Sequence, residues 1–222
     1  VSTVDEAALP TLVRGISILY GNRGWHREGA ALFARAAQAL QQAGASDRVR
    51  GLVLGYQVYF LLWSGRATEG AAVLAQSVAL LEASEQTDWY AYIRSHFGTV
   101  ALSVGRIAEA QEHYATAARL TAGSDPYAHQ WAAFSEGIVA LCSGDLDAAA
   151  RQFSSSLAVW RSQGFQRGEA TALAMLSDVV RQTGGLDRAE AYGREALRIG
   201  SVTHNPSIIA SGLRELGAVA LE

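Results

Sequence analysis

The side chains able to do chemistry are few and scattered. The five histidines, His26, His96, His113, His129 and His204, never come four apart, the spacing that puts two metal ligands on one helix face. Cys142 is the sole cysteine and has no CxxC partner. HExxH and Gly-x-Ser-x-Gly are absent, and with no Lys there is no phosphate-binding Gly-rich loop. Ser154-Ser155-Ser156 lies inside an apolar-periodic stretch and reads as a helix face. Carboxylates stand singly. The expectation is a non-catalytic chain with no cofactor and no bound metal. Two features remain that could hold a ligand. One is a set of aromatics on successive helices. The other is Asp178 with Arg181, three apart on one helix, either a solvated intrahelical pair or a polar clamp for a carboxylate or phosphate.

The elements that carry these residues repeat. Gly24, Gly65, Gly105, Gly144 and Gly184 are separated by 41, 40, 39 and 40 residues. Five past each stands a small residue: Gly29, Gly70, Ala110, Ala149, Ala189. Twelve past stands another: Ala36, Ser77, Ala117, Ser156, Ala196. Apolar residues recur three and four apart, as in Leu146, Ala149, Ala150, Phe153 and Leu157. Such a period marks a solenoid of helix hairpins, in which a glycine turn separates helix A from helix B. Small residues at the crossings let two backbones approach, and the glycine permits a left-handed turn. Asp47, Asp88, Asp125 and Asn205 are the expected N-caps, the last two followed by Pro. In the fourth repeat, helix A is expected over 126–142 and helix B over 146–163.

Composition supports one helical array. Half of the 222 residues are hydrophobic and three are Pro. Net charge is −3 with no basic run, so direct nucleic-acid contact is not expected. All 18 basic residues are Arg, which fits a GC-rich bacterial genome. One cysteine suits a reducing compartment. No leader and no 18-residue apolar run is present, so a cytoplasmic location and no membrane contact are expected.

The Gly-x4-small-x6-small frame, with Leu-Gly or its equivalent earlier in helix A, resembles the tetratricopeptide repeat. The fifth repeat carries it best: Leu176-Ser177, then Gly184-Gly185-Leu186-Asp187-Arg188-Ala189, then Glu195-Ala196-Leu197. The third follows with Phe97-Gly98 and Gly105-Arg106-Ile107-Ala108-Glu109-Ala110. The second departs at Gln57-Val58, and the fourth has Glu136 at the Leu position. HEAT repeats have similar length but fit the turn-glycine frame poorly. The implied fold is all-α: a right-handed superhelical α-solenoid of stacked antiparallel hairpins, five hairpins plus one terminal helix. It forms a single domain over 1–222. Repeats span about 5–44, 47–85, 88–123, 126–164 and 166–204, with the terminal helix at 206–222. Leu216-Gly217 and Ala220 match Phe97-Gly98 and Ala101, so that helix reads as helix A of a sixth repeat, and a longer parent protein is expected. Leu221-Glu222 is either native helix or derived from cloning.

The forty-residue repeat, with the opening Tyr20-Gly21-Asn22-Arg23-Gly24-Trp25, resembles the C-terminal sensor arm of bacterial signal-transducing ATPases with numerous domains, the maltotriose-responsive transcription activator type included. In tetratricopeptide arrays helix A lines the concave groove through positions 13, 10, 6, 3 and 2 before the turn glycine. The resemblance then implies a groove with Tyr59, Trp63, Tyr92, Ser95, Thr99, Trp131 and Phe134 at its centre and Asp178 and Arg181 toward one end. Aromatic faces with a few polar groups suit a small molecule or an amphipathic peptide. The same rings equally suit packing between hairpins. Two functions follow: a sensor arm holding a small molecule, peptide or protein in the groove of a larger signalling or transcription regulator, or a protein-interaction scaffold without a small ligand. Self-association through the apolar terminal helix is a third reading.

Overall fold

A computed structural model describes residues 6–81, 88–103, 105–123 and 126–222, with the side chains of 88–92, 103 and 126–128 left undescribed. The described residues form eleven α-helices and no strand. They are α1 (Leu9–Arg23), α2 (His26–Gln42), α3 (Asp47–Trp63), α4 (Ala67–Leu81), α5 (Asp88–Ser103), α6 (Ile107–Thr121), α7 (Pro126–Cys142), α8 (Leu146–Ser162), α9 (Gln166–Gln182), α10 (Leu186–Thr203) and α11 (Pro206–Val219). The chain divides into two compact units, residues 1–21 with 25–128 and residues 22–24 with 129–222.

Hairpins and their stacking are visible inside each unit. In the first unit α3 pairs with α4 and α5 with α6, while α3 also packs on α2 and α5 on α4. In the second unit α9 pairs with α10, α9 packs on α8, and α11 packs on α10 and α9. The five turn glycines all take positive φ, from 68° to 83°. Gly144 shows why. Its N–H donates to Leu141 O and the next N–H, of Asp145, to Ala140 O. These bonds close α7 with a left-handed residue, which costs an L side chain about 1–2 kcal/mol. A Cβ at Gly144 would meet nothing within 4 Å. Gly144→Ala is therefore expected to lose only this conformational term, about 1 kcal/mol, read as a lower urea midpoint with unchanged slope.

The small residues of the frame sit at crossings. Ala110, Ala149, Ala189, Ser77, Ala117, Ser156 and Ala196 are all buried. The serines are also tied down: Ser77 donates to Gly51 O at 2.7 Å and Ser156 meets Gln130 at 3.0 Å. In the third and fourth hairpins a large residue nine past the turn glycine fills space left by a glycine seven before it. A Cβ on Gly98 would come within 2.6 Å of the Tyr114 ring, and one on Gly137 within 2.7 Å of Phe153. Both hairpins thus interlock a ring with a missing side chain, the tight packing that interiors require.

Helix ends follow local chemistry with one-residue shifts from the sequence reading. Ser46, rather than Asp47, caps α3; its Oγ accepts from Val49 N–H, and Asp47 is the first helical residue. Ser46 itself is anchored by Glu6, whose carboxylate accepts from its N–H at 2.7 Å and its hydroxyl at 2.6 Å. Asn205 caps α11 as expected, accepting from Ser207 and Ile208 N–H. α8 ends at Ser162, with Gln163 as its C-cap. Asp125 and the Asp88 side chain lie outside the described residues.

Candidate ligand-binding faces

In the first unit an aromatic cluster forms where α3 meets the start of α2 and the middle of α5. Tyr59, one turn before the end of α3, is buried, its ring 4.9 Å from Phe60 and 6.1 Å from His26. His96 of α5 approaches its other side at 5.9 Å. Trp63 closes the helix. It stacks on the buried His26 ring at 5.8 Å and leaves 54% of its surface exposed. A large apolar ring open to water on one face and braced on the other is a contact surface with little conformational freedom left to lose.

Two histidines of this unit, His96 in the cluster and His113 beside Phe97, are shifted by their surroundings. Burial pushes the His96 imidazole down to about 3, because a charged ring there would lose its hydration. His113 is also lowered, first by burial and then by the Arg94 guanidinium, which lies 3.1 Å from its Nδ1. Farther along α5, Ser95 and Thr99 are half-buried. Thr99 Oγ1 donates to Ser95 O at 3.1 Å and lies 3.0 Å from the Tyr114 hydroxyl. With its single proton used on Ser95, Thr99 is the acceptor from Tyr114. The Tyr92 side chain lies outside the described residues.

In the second unit α7, α8 and α9 build another aromatic group. Phe134 is enclosed, 5.1 Å from both Phe153 and Trp160. Trp131, one turn earlier, is half-buried. It meets Trp160 at 4.8 Å and Phe134 edge-on at 5.6 Å. The Arg167 guanidinium lies over its ring at 5.0 Å and over Phe165 at 5.9 Å. A cation fixed on an indole presents positive charge beside apolar surface. At the far end of α9, Arg181 donates to Asp178 at 2.7 Å and to Glu222 at 2.9 Å. The intrahelical pair therefore forms, and its Arg also holds a carboxylate from elsewhere in the chain.

Eight of the nine residues singled out by the sequence fall into different environments, the Tyr92 side chain lying outside the described residues. Trp63 is exposed; Trp131, Ser95, Thr99, Asp178 and Arg181 are half-buried; Tyr59 and Phe134 are interior packing. Two contributors lay outside the positional rule. Arg167 is seventeen residues before Gly184, and His26 opens a B helix. Neither is marked by spacing along a single helix. Cys142 is exposed. Among the described residues no cluster of three His, Cys, Asp or Glu is placed to hold a metal ion, and no helix is long and apolar enough to cross a membrane.

Residues 132–200 match the family model of the tetratricopeptide repeat. No curated protein matches the sequence. Solved structures share the fold at low identity. BtubC (BKLC) from P. vanneervenii is similar with a TM-score of 0.61 at 17% identity, over 90% of this chain and 82% of its own. Nearly identical TPR-like repeats of a kinesin light chain from Podosopora anserina align with a TM-score of 0.55 at 13% identity, over 91% and 99% of the two chains. A Signal Transduction ATPase with Numerous Domains with a tetratricopeptide repeat sensor, from Pyrococcus horikoshii, aligns over 99% of this chain and 34% of its own, with a TM-score of 0.59 at 15% identity. The turn-glycine frame and the stacked hairpins make this a helical-repeat chain; residues 132–200 match the tetratricopeptide repeat family, and the solved structures share the fold.

Proposed function

We propose that the chain is a non-catalytic binding arm of a larger bacterial signalling or transcription regulator, recognising a small molecule or peptide through its A helices. The observation that carries this reading is Trp63, an exposed indole braced from behind by His26 at the end of a helix A. Trp131 under Arg167 offers a second surface of mixed apolar and cationic character. Asp178 and Arg181 add polar recognition, and Ser95 and Thr99 add a polar stretch of α5 beside the Tyr114 hydroxyl. The likeness to an ATPase bearing a tetratricopeptide sensor supports the regulatory setting, since this chain spans 34% of that protein.

The test is capture from extract of the parent organism, with small molecules and proteins both read by mass spectrometry. Trp63→Ala serves as the control bait. That side chain is exposed, so its removal leaves the helices folded while deleting a contact surface. A bound species lost with Trp63→Ala supports the assignment, and equal retention by a folded Trp63→Ala protein contradicts it. A protein-interaction scaffold is the alternative, favoured by the charged pair Asp178 and Arg181. Under that reading the captured species is a protein, and its affinity falls as salt rises.

A further inference from the structure

A hydrogen bond between α5 and α6 dictates where a proton sits. The Arg94 guanidinium lies 3.1 Å from His113 Nδ1. Arginine has donors only, so Nδ1 is the acceptor and carries no proton. The neutral ring then holds its proton on Nε2, which faces the Glu109 carboxylate at 3.8 Å. Glu109 in turn accepts from Arg106 at 3.3 Å. Phe97, one turn after Arg94, braces both partners, 5.1 Å from the His113 ring and 6.0 Å from the Arg94 guanidinium. Phe97 itself packs on the cluster of Val58, Leu74, Leu81 and Ile93. Among the described residues, the charged groups facing His113 are Arg94 from α5 and Glu109 and Glu112 from its own helix. The His113 side chain keeps 14% of its surface in water, so protons reach it.

Proton uptake undoes this bond. An Nδ1–H and a guanidinium N–H at this distance offer no lone pair to each other, and both groups are then positive. The carboxylate side of the ring is the one that gains. We propose that His113 is a proton-operated latch of the third hairpin: neutral, it ties Arg94 to α6; protonated, it releases that tie and turns to Glu109. Burial and the Arg94 charge hold its titration below the ordinary imidazole value. The tie is therefore complete above about pH 6.5 and is lost as pH falls through the lower folded value. The latch is independent of the A-helix binding reading, and it sits on the helix that carries Ser95 and Thr99.

Side-chain nitrogen NMR of the whole chain tests it, from about pH 8 down to about pH 4. At the upper end His113 should show a bare Nδ1 and a protonated Nε2. As the ring titrates, the Arg94 guanidinium signals should shift with the same midpoint. Arg94→Gln should raise the His113 midpoint by at least about 0.5 unit, since it removes the opposing charge. His113→Gln supplies a carbonyl acceptor that does not titrate, so its Arg94 signals should hold steady over the range. A protonated Nδ1 at the upper end overturns the proposal. So does an Arg94 spectrum that stays constant through the His113 midpoint, or one that moves equally in His113→Gln. A His113 ring still neutral at about pH 4 also overturns it, because such a latch never opens.

Discussion

Trp160→Ala should lower stability by about 3–5 kcal/mol, the range for deleting a fully enclosed aromatic side chain. The Trp160 side chain is 1% exposed and touches the rings of Trp131, Phe134 and Phe165. It also lies where a Cβ on Gly168 would need to be. Gly168→Ala alone should then cost about 1–3 kcal/mol through overpacking. The two losses should not add. Removing the indole relieves one of the two rings the new methyl meets, the other being Phe165, so the double variant should be more stable than the sum of the single changes predicts by at least about 0.5 kcal/mol. Urea unfolding of the four proteins gives the coupling directly. Strict additivity would mean that Trp160 and Gly168 are not in contact.

Acid should destabilise the protein through His96. Its folded pKa of about 3 lies below the value near 6.5 of a free imidazole, because burial penalises the charged ring. The unfolded chain therefore takes up a proton as pH drops below about 6.5, while the folded chain stays neutral at this residue. Stability from the neutral ring is complete above that pH and is lost progressively down to about 3. The slope approaches about 1.4 kcal/mol per pH unit, so moving from pH 7 to pH 4 should remove roughly 3 kcal/mol. His113, also lowered by burial and by Arg94, acts in the same direction. His96→Phe isolates the residue: its stability should be flatter over this window by about one proton. Parallel profiles for the two proteins would show that the buried ring is not the source. Ring packing on Tyr59 accounts for retention of an aromatic shape at this site.

The skeleton of the fold is legible in the sequence because each hairpin repeats the same steric demands. Gly144 and its equivalents mark left-handed turns, and Ala149 and Ser156 mark crossings, whatever the neighbours are. The helix-end shift from Asp47 to Ser46 was not legible, since both residues are good caps and only tertiary anchoring by Glu6 separates them. For Tyr59 and Phe134 the sequence left groove and packing both open, and the structure shows packing. Their positions in helix A are those of groove residues, but His26, His96 and Trp160 close over them. Those three rings occupy no fixed step of the frame. Arg167 was missed because a stacked cation depends on how α9 lies against α7, which spacing along one helix does not encode.

The most direct measurement on the central claim is a calorimetric titration of the captured species into the native chain and into Trp63→Ala, with the melting temperature of each protein recorded alongside. An A-helix binding face centred on the braced indole predicts at least a tenfold loss of affinity, the scale of a buried aromatic anchor, with melting temperatures that coincide. Equal affinities in two equally stable proteins would contradict it and place recognition on another face of the array.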